Sequence, residues 1–324
     1  MRNFIHVNAT TLDEAVLTLR RYGNKAAIIA GGTDLLGKMK DEILHIYPEA
    51  IVNIKSIPGL DFIQEKKGML TIGALTRLED IALHKTVRDR YPVLAQAAYR
   101  TASPHIREMG TIGGNICQDI RCWYYRNPKN RFPCLRKGGG RCYAIEGDNR
   151  YHSIFGGSVE EGCYAVHPSD IAPALVVLDA KIQTTRRTVS AENFFEVNVR
   201  KTTILDADEI VTEIQVPEPT AGTRNAFIKF AIRKSIDFPI VNCAGAISSV
   251  GGTVISARIC LNAVYVKPYR ALKAEEAVIG KAMDEVNAEI AGKAAVSNVK
   301  PLSHNGYMVQ IAKTLVKKVI LSCK

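Results

Sequence analysis

Four of the eight cysteines crowd one stretch of the chain. Cys122, Cys134, Cys142 and Cys163 follow the spacing C-x11-C-x7-C-x20-C amid glycine, arginine and tyrosine. Thiols gathered in this way serve as a disulfide framework, a zinc site or an iron–sulfur centre. The N-terminus, MRNFIHVNATTLDEA, has neither an apolar signal core nor twin arginines, so the expected compartment is the cytoplasm. Reducing cytosol disfavours disulfides, and clustered thiols there bind metal or do redox work. Zinc ribbons use close CxxC pairs, which are absent here, and the spacing is equally unlike a bacterial ferredoxin run. Spacing alone leaves the metal open.

Other residues compete for the same roles. Cys117 lies just upstream as a rival ligand. Cys243 and Cys260 fall in predicted strands and read as buried apolar thiols, and Cys323 at the terminus reads as incidental. His105, His152 and His167 read as polar partners in turns before they read as ligands. Trp123, Tyr124 and Tyr125 either shield a centre from water or pack the loop in place of a core.

Two glycine pairs suggest a second chemistry, at Ala30-Gly31-Gly32-Thr33-Asp34-Leu35 and Thr111-Ile112-Gly113-Gly114-Asn115. Glycines reach positive φ and let successive amides converge on an anion. Thr33, Thr111 and Asn115 can add side-chain donors. Neither pair fits a Walker A loop or a GxGxxG fingerprint, and a lone Gly-Gly more often makes a tight turn, which is the competing reading for each. A third pair, Gly251-Gly252, needs no ligand, because the strands on either side make it a hairpin turn.

The elements that must position these residues are legible in outline. Thr10-Thr11-Leu12-Asp13-Glu14 starts a helix that Gly23 stops, and Ala26–Ala30 is a strand leading into the first glycine pair. A strand near 50–54 and a hairpin over 61–73 follow. Thr76-Arg-Leu-Glu79 is expected to cap one helix, and Pro92 opens another. Residues 171–184 read as strand-like, with further strands up to Pro217. Pro217-Glu-Pro219-Thr-Ala-Gly222 is the best linker. Beyond it come strands over 226–232, 241–250 and 253–264, then helices from about 270, 283 and 304. That order predicts a separate α+β domain from about 220.

Composition excludes several classes. The 324 residues are 47% hydrophobic and 23% charged, ordinary for a soluble protein of two or three domains. No run approaches the ~18 apolar residues of a membrane span. The net charge of +11 is spread along the chain without aromatic interleaving, so no nucleic-acid partner is expected. It suits an acidic partner or an anionic cofactor instead.

Taken in order, TTLDEAVLTLRRYG, IIAGGTDLL, TASPHIREMGTIGGNI, HPSDIAPALVVLDA, DEIVTEIQVP and KFAIRKSIDFPIVNCAGAI resemble the flavin-binding subunit of the molybdenum hydroxylases. That family includes xanthine dehydrogenase, carbon monoxide dehydrogenase, aldehyde oxidoreductases and 4-hydroxybenzoyl-CoA reductase. The resemblance implies an α+β fold. A two-part α/β FAD-binding domain of the vanillyl-alcohol-oxidase (PCMH-like) type is expected over residues 1–218, with subdomains about 1–57 and 58–218. A smaller domain with an antiparallel sheet and C-terminal helices follows over 222–324.

The resemblance also implies site residues. Ile28, Ile29, Ala30, Gly31, Gly32, Thr33, Asp34 and Leu35 match the first FAD loop, whose amides hold the pyrophosphate. Thr111, Gly114 and Asn115, with Cys117 in the same segment, match the second. Asp170 matches the acceptor of an FAD sugar hydroxyl, although it also reads as a helix N-cap. Ile210 and Val211 match an apolar edge near the isoalloxazine, and Lys229 matches a basic residue beside the ring.

Residues from about 118 to 165 stand where ordinary family members pass directly to the Ser-Asp segment. They resemble the 4Fe–4S loop of 4-hydroxybenzoyl-CoA reductase and of certain bacterial aldehyde oxidoreductases, with the long last gap favouring the aldehyde-oxidoreductase type. This implies Cys122, Cys134, Cys142 and Cys163 as cluster ligands, with Arg121, Arg126, Arg131, Arg136, Lys137 and Arg141 supplying positive charge. The expected cofactors are FAD and a 4Fe–4S cluster. The expected partners are a large molybdopterin subunit, a small 2Fe–2S subunit and an external carrier such as NAD or a ferredoxin, with periplasmic location only through a partner's signal. The alternatives are a stand-alone FAD oxidoreductase and a loop that binds structural zinc.

Overall fold

The computed structural model describes residues 1–158 and 162–324, so residues 159–161 of the expected insertion lie outside the described residues. Three sheets organise the described residues. The first is parallel, with β1 (Ile5–Asn8) beside β3 (Ala50–Asn53) beside β2 (Ala26–Ile29). The helix Leu12–Tyr22 makes the crossover. Thr11 caps it by accepting from the Glu14 amide at 3.1 Å, while the Glu14 carboxylate accepts from the Thr10 amide at 2.8 Å. Gly23, at φ +54°, ends it.

The second sheet is antiparallel. It orders β4 (Ile63–Lys66), β5 (Met69–Gly73), β8 (Val211–Pro217), β6 (Lys181–Thr184) and β7 (Thr188–Ser190) as β4-β5-β8-β6-β7. Lys67 and Gly68, both at positive φ, close its first hairpin. The third sheet runs β12 (Tyr269–Arg270), β11 (Thr253–Asn262), β10 (Val241–Val250), β9 (Thr223–Phe230). Gly251 and Gly252 supply the positive φ of the β10–β11 turn. The helices Leu272–Val278, Glu285–Ala295 and Tyr307–Ser322 cover this sheet, burying Ala291, Val316, Val319 and Ile320 against Val241, Ile247 and Leu261. This is the expected α+β architecture, with antiparallel pairing confined to the two later sheets. Among the described residues, no helix is long and apolar enough to cross a membrane.

Two local expectations are corrected. Ile171–Val177 is a helix rather than a strand, and every residue in it is buried. A continuous apolar run fits either element. Pro173 decides, since it is tolerated in a first helical turn but removes a donor that a central strand needs. Thr76 does not cap the helix Leu78–Leu83, whose N-cap is Arg77. Its hydroxyl instead accepts from the Phe62 amide at 3.2 Å and donates to the Phe62 carbonyl at 2.9 Å, tying the helix entry to the hairpin.

Candidate flavin cleft and cysteine cavity

A cleft of about 530 Å³ opens where the first sheet, the second sheet and the third meet. Strand β2 delivers Ile28 and Ile29 to it, and the chain turns there through Ala30, Gly31, Gly32, Thr33, Asp34 and Leu35. A Cβ on Gly31 would collide with the Met109 carbonyl oxygen, and Gly32 sits at φ +71°. Among the described residues, the amides of Gly31, Gly32, Thr33 and Asp34 have no protein acceptor. Backbone donors are rarely left unpaired, so four in a row facing a cleft are what a pyrophosphate would satisfy.

The opposite wall carries the second glycine pair. Thr111 caps the short helix Ile112–Ile116, its hydroxyl accepting from the Gly114 amide at 3.1 Å. Gly113 packs against Ala74 so closely that a Cβ would fall 2.9 Å from the Ala74 carbonyl oxygen. Asn115 is oriented by Ser169, whose hydroxyl donates to Asn115 Oδ1 at 2.5 Å. That leaves the Asn115 –NH2 available to donate. Ile210 and Val211 supply the apolar edge, and Cys117 opens onto the cleft apart from the other loop cysteines.

Asp170 lines the cleft but does not act as a cap. Ser169 Oγ accepts from the Ala172 amide at 3.0 Å in its stead. The Asp170 carboxylate is held from the third sheet. Lys229 Nζ donates to Oδ2 at 2.6 Å and Asn242 Nδ2 to Oδ1 at 2.7 Å. Lys229 and Asn242 are direct partners across β9 and β10, and Asn262, opposite Asn242 on β11, donates to the Ser169 carbonyl at 2.6 Å. One cross-strand row thus clamps the Ser169-Asp170 corner. Burial pushes the Asp170 carboxyl above its usual range, against the Lys229 charge and the hydrogen bonds from Lys229 and Asn242. Lys229 is therefore neither solvated nor on the cleft wall; it reaches the cleft through Asp170.

The four loop cysteines do meet. Cys122, Cys134, Cys142 and Cys163 ring one small cavity of about 10 Å³, closed by Tyr124, Tyr125 and Tyr143. All four are free thiols. Hydrogen bonding from Cys163, with the amides of Tyr164, Ala144 and Ile145, holds the Cys142 thiol down at about 6 despite its burial. His152 Nε2 lies 3.2 Å from Cys122 Sγ, and burial lowers its imidazole to about 4, so it stays neutral. Among the described residues, no three His, Cys, Asp or Glu groups are placed to share a single metal ion. Cys243 and Cys260 are buried, as expected of apolar thiols, and Cys323, read as incidental, is buried as well.

Only part of the expected positive charge faces these thiols. Arg136 and Lys137 are buried, and among the described residues Lys137 Nζ, 5.3 Å from the Tyr125 ring centre, has no hydrogen-bond partner. Burial lowers the Lys137 ammonium, while Cys134 and Cys122 favour it. Arg131 and Arg141 lie over Phe132 and Tyr143 at the surface. Arg121 and Arg126 turn away, pairing with Asp34 Oδ1 at 2.8 and 2.7 Å. A half-buried carboxylate in the glycine loop outcompetes the thiols for them.

Sequence reasoning missed Lys38 and Asp119, which join the two sites, and Ile236-Asp237-Phe238, which line the cleft. No motif marks Lys38 or Asp119, since their partners lie in other segments. The Ile236 backbone, at φ +68°, is a conformation β-branched residues avoid, and its amide is anchored on the Ala102 carbonyl at 3.2 Å.

Comparisons with known proteins agree with this arrangement. The model of the FAD binding domain in molybdopterin dehydrogenase matches residues 2–219, and that of the CO dehydrogenase flavoprotein C-terminal domain matches 226–323. The chain is 32% identical to the aldehyde oxidoreductase FAD-binding subunit PaoB of Escherichia coli (strain K12), covering 100% of this chain and 99% of that protein. It is 29% identical to the carbon monoxide dehydrogenase medium chain of Hydrogenophaga pseudoflava, covering 96% and 93%. A solved structure of carbon monoxide dehydrogenase from that organism superposes with a TM-score of 0.78 at 27% identity, covering 99% of this chain and 97% of that one. With both family models in sequence, a cleft built from both glycine loops and relatives matched end to end, the chain belongs to the FAD-binding medium subunits of the molybdenum hydroxylases.

Proposed function

We propose that this subunit passes electrons between molybdopterin and 2Fe–2S partner subunits and an external carrier, through FAD in the cleft and a 4Fe–4S cluster on the four cysteines. FAD exchanges one-electron for two-electron traffic when bound. The chain's own residues bind and orient. The Gly31–Asp34 amides take the pyrophosphate, Thr111, Gly114 and Asn115 face it from the far wall, and Asp170, fixed by Lys229 and Asn242, accepts from a sugar hydroxyl. Ile210 and Val211 exclude water from the ring edge. The boundary between the flavin-binding and C-terminal domains is taken in the Pro217–Gly222 segment between β8 and β9.

One observation carries the cluster reading. Four thiols from separate loop positions ring a single cavity, and among the described residues the buried Lys137 Nζ has no hydrogen-bond partner near them. An unpaired buried charge is costly, and an anionic thiolate-bound cluster would compensate it.

Anoxic purification followed by flavin, iron and acid-labile sulfide analysis tests the reading. The expected result is one FAD with about four iron and four sulfide per chain. One FAD with zinc and no sulfide would replace the cluster with a structural ion. Turnover of a simple organic substrate by this chain alone would replace the subunit reading with a stand-alone oxidoreductase.

A further inference from the structure

The flavin cleft and the cysteine cavity share one wall, the segment from Cys117 to Cys122. Cys117, Gln118 and Arg121 line the cleft, whereas Ile120 and Cys122 line the cavity. Asp119 lies between them and contacts both sides. Its Oδ2 accepts from the Tyr125 hydroxyl at 2.6 Å, and its Oδ1 from Arg136 Nη2 at 3.3 Å; both partners border the cavity. Lys38 Nζ, on the cleft side, sits 3.5 Å from Oδ2, and the Asp119 amide donates to Asp34 Oδ2 at 3.0 Å.

The charges here are unequal. Among the described residues, two carboxylates, Asp34 and Asp119, face four cations, Lys38, Arg121, Arg126 and Arg136. Arg136 has a side chain only 2% exposed. In so enclosed a place a unit charge acts on its neighbours with little screening. Reduction adds negative charge to whatever occupies either site, so a carboxylate in the shared wall opposes it on both sides.

We propose that Asp119 is a positioning residue common to both sites, which sets the reduction potentials of flavin and cysteine centre together. It does so through its charge and through the orientation it imposes on Arg136 and Lys38. For the cysteine half, this rests on the cluster reading above. It separates Asp119 from a surface acid: the same carboxylate tunes donor and acceptor in one direction, keeping the gap between them nearly constant.

The test is a potentiometric titration of the assembled complex, with flavin followed optically and the cluster by electron paramagnetic resonance, in wild type, Asp119→Asn and Lys38→Gln. Asp119→Asn should raise the reduced-to-oxidised ratio of both centres about tenfold at a fixed potential, which is 59 mV for a one-electron couple. Lys38→Gln should move both the other way, and Asp119→Glu should return them toward wild type. If Asp119→Asn loses its cofactors, the Lys38→Gln shift decides. Unchanged potentials in cofactor-loaded variants would overturn the proposal, as would a shift at one centre only. A wild-type complex with flavin but no iron or sulfide would overturn the cluster reading, and the flavin shift would then decide the Asp119 assignment by itself.

Discussion

Lys229 Nζ lies 2.6 Å from Asp170 Oδ2, with both side chains 3% exposed, and this pair joins the C-terminal sheet to the floor of the flavin cleft. The strand register sets Lys229, Asn242 and Asn262 in one row across β9, β10 and β11, facing the Ser169-Asp170 corner to which all three bond. Removing one partner of a buried pair leaves an uncompensated charge, at a typical cost of about 3–5 kcal/mol. Lys229→Met should therefore lower unfolding stability by about that amount, and weaken flavin retention by freeing Asp170 to turn. Denaturant unfolding with flavin release read in parallel is the check. A wild-type midpoint with full flavin would show that the pair does not hold the corner.

The two glycines of the first loop should respond differently. Gly32→Ala places an L side chain at φ +71°, a strain of about 1 kcal/mol. Gly31→Ala drives a methyl group into the Met109 carbonyl, which is backbone and must move with its whole turn. Flavin content per chain should fall moderately in the first variant and nearly vanish in the second. Equal flavin in both would count against the loop as the pyrophosphate cradle.

How much of this was legible beforehand depends on whether a feature is local. The helix after Thr11, the Gly251-Gly252 hairpin and the three closing helices follow from caps, turn residues and apolar periodicity within one segment. The glycine pairs alone read as tight turns and only the resemblance of their contexts pointed to a cofactor, whereas the close approach of Gly31 to the Met109 carbonyl is visible only in the fold. Ile171–Val177 was misread because an all-apolar run carries no period. Arg121 and Arg126 were assigned to the cysteines wrongly for a different reason. They had a stronger partner in Asp34, more than eighty residues away in sequence, and only the fold reveals it.

That partner gives the junction an acid limit. Burial alone would raise Asp34 and Asp119, but Lys38, Arg121, Arg126 and Arg136 outweigh it and hold both carboxyls below their ordinary range. Groups depressed in the folded state contribute stability above their unfolded value near 3.8, and that stability is lost as pH falls toward the folded values. The wall between cleft and cavity should thus be fully held at neutral pH and loosen below about pH 4. Amide hydrogen exchange of residues 117–126 across that range is the measurement, and protection that does not change below pH 4 would refute the assignment.

The last prediction separates the two sites. Cys134 and Cys142 border the small cavity and neither touches the glycine loops, so their thiols can be removed without altering a cleft residue. If these thiols hold the proposed cluster, Cys134→Ser and Cys142→Ser should each lose about four iron per chain, because a 4Fe–4S cluster is held by four thiolates, yet keep FAD. Cys117→Ser, whose thiol opens onto the cleft, should keep its iron. Parallel iron and flavin counts on the three variants decide the matter. Should both cavity variants lose flavin along with iron, the shared wall at 117–122 would be held in place by the cluster itself, and its role would be architectural before it is electronic.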